Sequence, residues 1–295
     1  MWSSANLADL KKASRPRSLY SSKRENGRVV IVGGSERFHG APIHSALSAY
    51  STLAALRIGT GYAITCVPKY DAPVVMKASQ NLIVRAFRED TLSDEDLPMI
   101  KEEVAKANAI AIGPGMGRKV GSLKAAATIA KYCISLEKKV VVDADALYSL
   151  RSVGKLTSNA ILTPNQKEFS LFFGGKLDEK DLDARTEAAI WVSKKLGCVL
   201  LLKGHQTIIT DGNRTKVVKS KSSALATMGT GDILSGMIAG YAALNSDAFI
   251  AATAGAYLLS LTGDLMYKKK GNHGIASDLV ELIPKVLKQF DKNVK

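Results

Sequence analysis

Short β-branched runs recur along this chain, separated by helix-length stretches. That alternation restricts the fold more than any other feature of the sequence. "VVIV" (29–32), "YAITCV" (62–67), "AIAI" (109–112), "KVVVD" (139–143) and "CVLLLK" (198–203) read as buried strands. Between and after them, helical patterns run over 42–57, 97–106, 120–136, 180–196, 232–243, 247–267 and 276–290. Units of this kind build an α/β fold with a mainly parallel sheet and helices on both faces. With 295 residues, 46% of them hydrophobic, the chain can bury the core of one such domain. The sequence places that single domain over 27–295, behind a basic lead-in over 1–26.

In an open α/β sheet the ligand lies beyond the carboxyl ends of the strands. The loops there read "GGSERFHGAP", "GPGMG", "DADAL", "TPNQKEF" and "KGHQT". Standard dinucleotide and P-loop signatures are absent: "GPGMGR" puts Arg118 where the last glycine of G-x-G-x-x-G belongs, and Gly34 to Gly40 has the wrong spacing for a P-loop. Asn165 and Glu168 stand three apart at a helix start, as a capping pair or as a pair organising hydrated Mg2+ against phosphates. Asp143 and Asp145 mark a strand end as polar without fixing a role. Lys203 can snorkel or pair with phosphate, and His205 reads as a contact residue. In "ATMGTGDILSGM", Asp232 could cap a helix. The small residues Gly229, Thr230 and Gly231 ahead of it favour another role. Their amides can cradle a phosphoryl group while the carboxylate accepts the proton of an attacking hydroxyl.

A formal charge of +14 suits an anionic partner, but the lysines are scattered and no zinc-finger or RNA-binding signature accompanies them, so nucleic acid is not expected. Cys66, Cys133 and Cys198 sit in apolar segments as buried thiols, and His39, His44, His205 and His273 lack metal-ligand spacing. No apolar run reaches the roughly 18 residues that span a bilayer, so no membrane partner is expected. The start lacks the apolar region of a secretory signal. A cytoplasmic location is the expectation.

"GTGD" opening a late helix and "N-x-x-E" in "TPNQKE" resemble the ribokinase-like superfamily, whose fold is a three-layer αβα sandwich. Seven ordered blocks narrow the likeness: "GRVVIVGGSERFHGAPIHSALSAYSTLAALRIGTGYAI", "AIAIGPGMGR", "VVVDADAL", "AILTPNQKEF", "LLLKGHQTII", "LATMGTGDILSGMIAG" and "IASDLVELIP". From about residue 15 to 290 the chain resembles the NAD(P)H-hydrate dehydratases. The resemblance implies ADP- or ATP-dependent repair of hydrated NADH and NADPH, by phosphorylation of the C6 hydroxyl and loss of phosphate. It implies Asp232 as base and substrate contact. Ala41, Gly115 and Asn165 would hold the damaged cofactor. Lys203, Gly204, His205, Gln206 and Thr207, with Gly229, Thr230 and Gly231, would bind the nucleotide. Asn165 and Glu168 would organise Mg2+ through water.

Many bacterial members carry His where this chain has Asn165, which leaves the choice of ADP or ATP open. Only about 26 residues precede "GRVVIV", so the epimerase domain often fused upstream is not expected and a separate epimerase would assist. A homotetramer is the assembly the family implies. Two other readings stand beside this one: a ribokinase-like kinase for a sugar or vitamin-precursor alcohol, and a catalytically silent nucleotide-binding protein.

Overall fold

Apolar side chains alternate sides along each strand, so both faces of the sheet must be covered. Val29, Ile31, Ala109, Ala111 and Val141 pack into one core, whereas Val30, Val32, Ile110, Ile112 and Val142 pack into the other. The computed structural model describes residues 2–35, 43–175, 177–245, 247–291 and 293–294.

The strands are β1 (Ser3–Ser4), β2 (Arg17–Ser18), β3 (Arg28–Val32), β4 (Tyr62–Val67), β5 (Ile83–Ala86) and β6 (Ala109–Ile112). They continue with β7 (Lys139–Val142), β8 (Ala160–Leu162), β9 (Val199–Leu202), β10 (Gln206–Thr210), β11 (Thr215–Lys219) and β12 (Asn293–Val294). The helices are α1 (Leu7–Ala13), α2 (Ile43–Ile58), α3 (Ala72–Ala78), α4 (Leu97–Lys106) and α5 (Val120–Ser135). After them come α6 (Gln166–Phe173), α7 (Leu182–Leu196), α8 (Thr230–Leu244), α9 (Ala248–Lys270) and α10 (Ala276–Leu287).

Ten strands form one sheet in the order β1-β11-β10-β9-β8-β7-β6-β3-β4-β5. Every pair is parallel except β9–β10 and β10–β11. α2, α8, α9 and α10 cover one face, and α4, α5 and α7 the other. The result is the three-layer αβα sandwich expected from the sequence. The hairpin β10–β11 and the strand β5 were not expected, because each is short and carries polar residues among its apolar ones.

From β3 the chain proceeds outward to β4 and β5. From β6 it proceeds the other way, to β7, β8 and β9. The topological switch therefore lies between β3 and β6, the place where open α/β sheets bind ligands beyond the strand ends, and the loops that follow these two strands start there. They meet closely: Gly34 N–H donates to the Pro114 carbonyl at 2.8 Å, and a Cβ on Gly33 would lie 2.1 Å from that same oxygen. Only glycine permits this approach.

α9 leaves the apolar-run expectation standing. The segment Ala248–His273 is long and apolar enough, by length and composition, to cross a membrane, although no uninterrupted apolar run is that long. Ala, Gly, Thr and Ser punctuate the apolar residues and let neighbouring helices approach, and 72% of its most apolar window is buried inside the fold. The three cysteines are free and buried as expected, and burial pushes each thiol up to about 12.

Candidate active site

α8 begins earlier than the apolar stripe suggested, at Thr230, with Gly229 as its cap in the left-handed region at φ +90. Asp232 is therefore the third residue of the helix and not its cap. The capping reading of this acid fails on geometry. Its side chain lies within the first turn, where the backbone amides lack intrahelical acceptors. Two glycines hold α8 in place: a Cβ on Gly236 would fall 2.0 Å from the Ser51 carbonyl, and one on Gly240 would fall 2.9 Å from Ile58 Cβ. Ser51 Oγ also donates to the Asp232 carbonyl. The close crossing of α2 and α8 thus fixes the depth at which Asp232 sits.

Burial pushes the Asp232 carboxyl up to about 7, with Asp143 and then Asp145 adding to the rise and Lys203 opposing it. A carboxylate with that proton affinity can take a proton near neutral pH.

Lys203 lies at the end of β9. Its backbone N–H donates to the Pro164 carbonyl at 2.8 Å, which joins the "TPNQKE" and "KGHQT" loops. Its ammonium meets Asp143 Oδ1 at 2.7 Å. Desolvation works against the Lys203 charge, but Asp143 and Glu168 outweigh it and hold the ammonium above its usual range. A cavity of about 350 Å3 opens beside this lysine. Val218, Leu225, Leu234, Ala256 and Leu259 line it with apolar side chains, and Ser220, Ser222, Ser223 and Ser260 line it as well. The cavity gathers Lys203, Gly204, His205, Thr207, Thr230 and Gly231 from the sequence-predicted nucleotide residues. Gly229 is the adjacent helix cap, and Gln206 opens β10 without lining the space.

Asn165 and Glu168 form a complete capping box. Asn165 Oδ1 accepts from Glu168 N–H at 2.9 Å, and Glu168 Oε2 accepts from Asn165 N–H at 2.8 Å. Glu168 Oε1 stays outside the box, and desolvation raises this carboxyl against the pull of Lys203. Among the described residues no cluster of three or more His, Cys, Asp or Glu is arranged to hold a metal ion. Glu168 Oε1, without a hydrogen bond among the described residues, is one carboxylate oxygen of the kind that fits Mg2+, which keeps most of its waters.

Gly115 lies in the "GPGMG" loop after β6 at φ +63, buried. Gly117 N–H donates to Asp145 Oδ2 at 3.0 Å, and Arg118 pairs with Asp145 Oδ1 at 2.6 Å while stacking 4.0 Å from the Tyr148 ring centroid. Ala41 falls outside the described residues.

Two side chains carry more of the site than their sequence positions suggested. Asp143 is 1% exposed and accepts from Thr163 Oγ1 at 2.7 Å, from Lys203 Nζ and from Ser235 Oγ. Arg185, on α7, is also 1% exposed. It donates to Gln166 Oε1 at 3.2 Å and to the Gln206 carbonyl at 3.1 Å, behind the "KGHQT" loop. Its Nη2 stands 2.6 Å from where a Cβ on Gly204 would be, so this glycine makes room for the guanidinium. Ser235 follows Asp232 by one helical turn, a spacing visible in the sequence; nothing local flagged Arg185.

The mostly parallel sheet, its order and the helices on both faces define a ribokinase-like fold. A ribokinase-like superfamily protein from Enterococcus faecalis shares the fold, at TM-score 0.85 over 98% of this chain and 96% of its own, with 21% identity. The NAD(P)H-hydrate dehydratase family model matches residues 29–285, and the chain belongs to that family. The ADP-dependent (S)-NAD(P)H-hydrate dehydratase of Cenarchaeum symbiosum is 33% identical over 285 residues, 96% of each chain. The ADP/ATP-dependent NAD(P)H-hydrate dehydratase of Bacillus subtilis, co-crystallised with ATP and Mg2+, is 25% identical with TM-score 0.78 over 95% of this chain and 96% of its own. The chain also matches bifunctional NAD(P)H-hydrate repair enzymes, of which it spans about half the length.

Proposed function

We propose that this chain dehydrates the (S)-hydrates of NADH and NADPH, using ADP or ATP as phosphoryl donor. The observation that carries the reading is that Lys203 and the first turn of α8, through Thr230 and Gly231, line the 350 Å3 cavity, while Asp232 in that same turn interacts with the Lys203 charge. The apolar side chains of the lining suit an adenine ring and its serines suit the ribose. The donor's phosphates then point toward Lys203 and the amides of Thr230 and Gly231. The damaged cofactor binds at the strand switch, beside Gly115 and Asn165, with Ala41 assigned to the same subsite.

In the first step Asp232 accepts the proton of the C6 hydroxyl as its oxygen attacks the terminal phosphorus of the donor. The bond from that phosphorus to the bridging oxygen breaks, and AMP leaves if the donor is ADP. The Thr230 and Gly231 amides and Lys203 face the charge that develops on the transferred group. In the second step the C6–O bond breaks, with the electron pair going to phosphate and the ring nitrogen supplying electrons. A proton then leaves C5 and the C5–C6 double bond returns. Phosphate departs far more readily than hydroxide, so a kinase-like site suffices. When bound, Mg2+ would neutralise phosphate charge. Glu168 Oε1 is the oxygen that would orient its water shell, with Asn165 holding Glu168 in place through the capping box.

Hydrated NADH should regain the near-ultraviolet absorbance of NADH when incubated with the protein, Mg2+ and ADP, and a parallel assay with ATP ranks the donors. No recovery with either nucleotide, from folded protein that binds nucleotide, would transfer the proposal to phosphorylation of a small alcohol. We extend the same proposal to a cytoplasmic location and to a homotetramer, the last testable by light scattering.

A further inference from the structure

We propose that Asp143 is the positioning residue of this site: its one carboxylate fixes the Lys203 ammonium from β9 and the first turns of α8 through Ser235, so that cation and base face one space. The inference rests on the dehydratase reading for its kinetic readouts, and on geometry for the rest. Oδ1 takes Thr163 Oγ1 and Lys203 Nζ, each at 2.7 Å, and Oδ2 takes Ser235 Oγ. Three elements (β8, β9 and α8) therefore converge on a side chain only 1% exposed. The backbone of Asp143 is held as firmly. Its N–H donates to the Ile112 carbonyl at 3.0 Å, and its own carbonyl lies 1.8 Å from where a Cβ on Gly113 would be. Ala144, at φ +48, then turns the chain through the left-handed region, and Asp145 reaches the Gly117 amide instead of the same cluster. The two acids thus serve different loops.

The groups facing Asp232 are Asp143 and Asp145, which disfavour its ionisation, and Lys203, which favours it. Glu168 faces Asp143 and Lys203, and Arg118 pairs with Asp145. Asp143→Asn keeps the shape and one acceptor oxygen, for Thr163 Oγ1 and Lys203 Nζ, while removing the charge and turning the oxygen opposite Ser235 into a donor that the rotatable serine hydroxyl can accept. The acid limb of kcat/KM should move to lower pH, because the nearest like charge is gone while Lys203 remains. The KM for ADP should rise several-fold, because the ammonium loses its anchor. Ser235→Ala removes only the tie to α8, so kcat should fall while the KM for ADP holds.

A structural role alone would lower the melting temperature and leave the acid limb and the ADP KM in place; that result overturns the proposal. Should Asp143→Asn fail to fold, an undiminished kcat in Ser235→Ala overturns it instead. If the wild-type protein shows no dehydratase activity, the functional reading has failed separately. Calorimetric Mg-ADP binding then decides: weaker in Asp143→Asn supports the anchor, and equal binding refutes it.

Discussion

Asp232→Asn separates the catalytic reading of this acid from a structural one, because the two predict opposite signs for stability. The carboxyl titrates at about 7 in the fold against an ordinary 3.8. Between those values the folded state binds more protons than the unfolded chain, so stability falls as pH rises through that window and levels off above it. At 1.36 kcal/mol per pH unit the full cost of ionising Asp232 in the fold is roughly 4 kcal/mol. The site opens to solvent beside the cavity, and screening reduces this to about 2 kcal/mol.

Asparagine carries no charge and removes the repulsion with Asp143. At pH 8 the variant should melt about 4 °C higher than the wild type, at roughly 2 °C per kcal/mol for a domain of this size. The gain should shrink at pH 5, where the wild-type carboxyl is already protonated in the fold. Turnover should drop by about 10²–10⁴, the usual contribution of a positioned general base. Paired thermal melts and dehydratase assays check both halves. A variant that melts lower at pH 8, or whose gain does not grow with pH, refutes the electrostatic argument; one that retains turnover refutes the base assignment.

Lys203→Met leaves the buried Asp143 carboxylate without its cation, and denaturant titration should show a loss of about 3–5 kcal/mol, with weaker ADP binding in calorimetry. Glu168→Gln keeps the oxygen that completes the capping box, so the melting temperature should stay near the wild type while the Mg2+ concentration for half-maximal rate rises; an unchanged Mg2+ requirement removes Glu168 from the metal assignment. Gly236→Ala forces a methyl against the Ser51 carbonyl and should cost about 1–3 kcal/mol in chemical denaturation, with kcat falling as α8 shifts.

What the sequence made legible was whatever local pattern carries. Parallel strands buried on both faces read as unbroken β-branched runs, so β3, β4, β6, β7 and β9 stood out. The β10–β11 hairpin did not, because "QTIIT" and "TKVVK" put polar residues at both ends of every apolar stretch. Asp232 is visible because small residues surround it and an apolar helix follows, although that helix starts at Thr230, two residues ahead of the helical pattern over 232–243. Its cap is a left-handed glycine rather than an acid.

The electrostatics of the site obey a different rule. Asp143 looked like an ordinary strand-end acid, since nothing within ten residues names its partners. Those partners, Thr163, Lys203 and Ser235, lie 20, 60 and 92 positions away and meet it only when β7, β8, β9 and α8 come together. Arg185 is the same case on the nucleotide side. In "DLDARTEAA" it reads as a solvated helix residue, yet Gly204 leaves it just enough space to reach the Gln206 carbonyl from behind the loop. A buried charge costs free energy unless distant residues complete it. Such groups can therefore persist only where the fold supplies partners, which is why they mark this site in the structure while remaining unremarkable in the sequence.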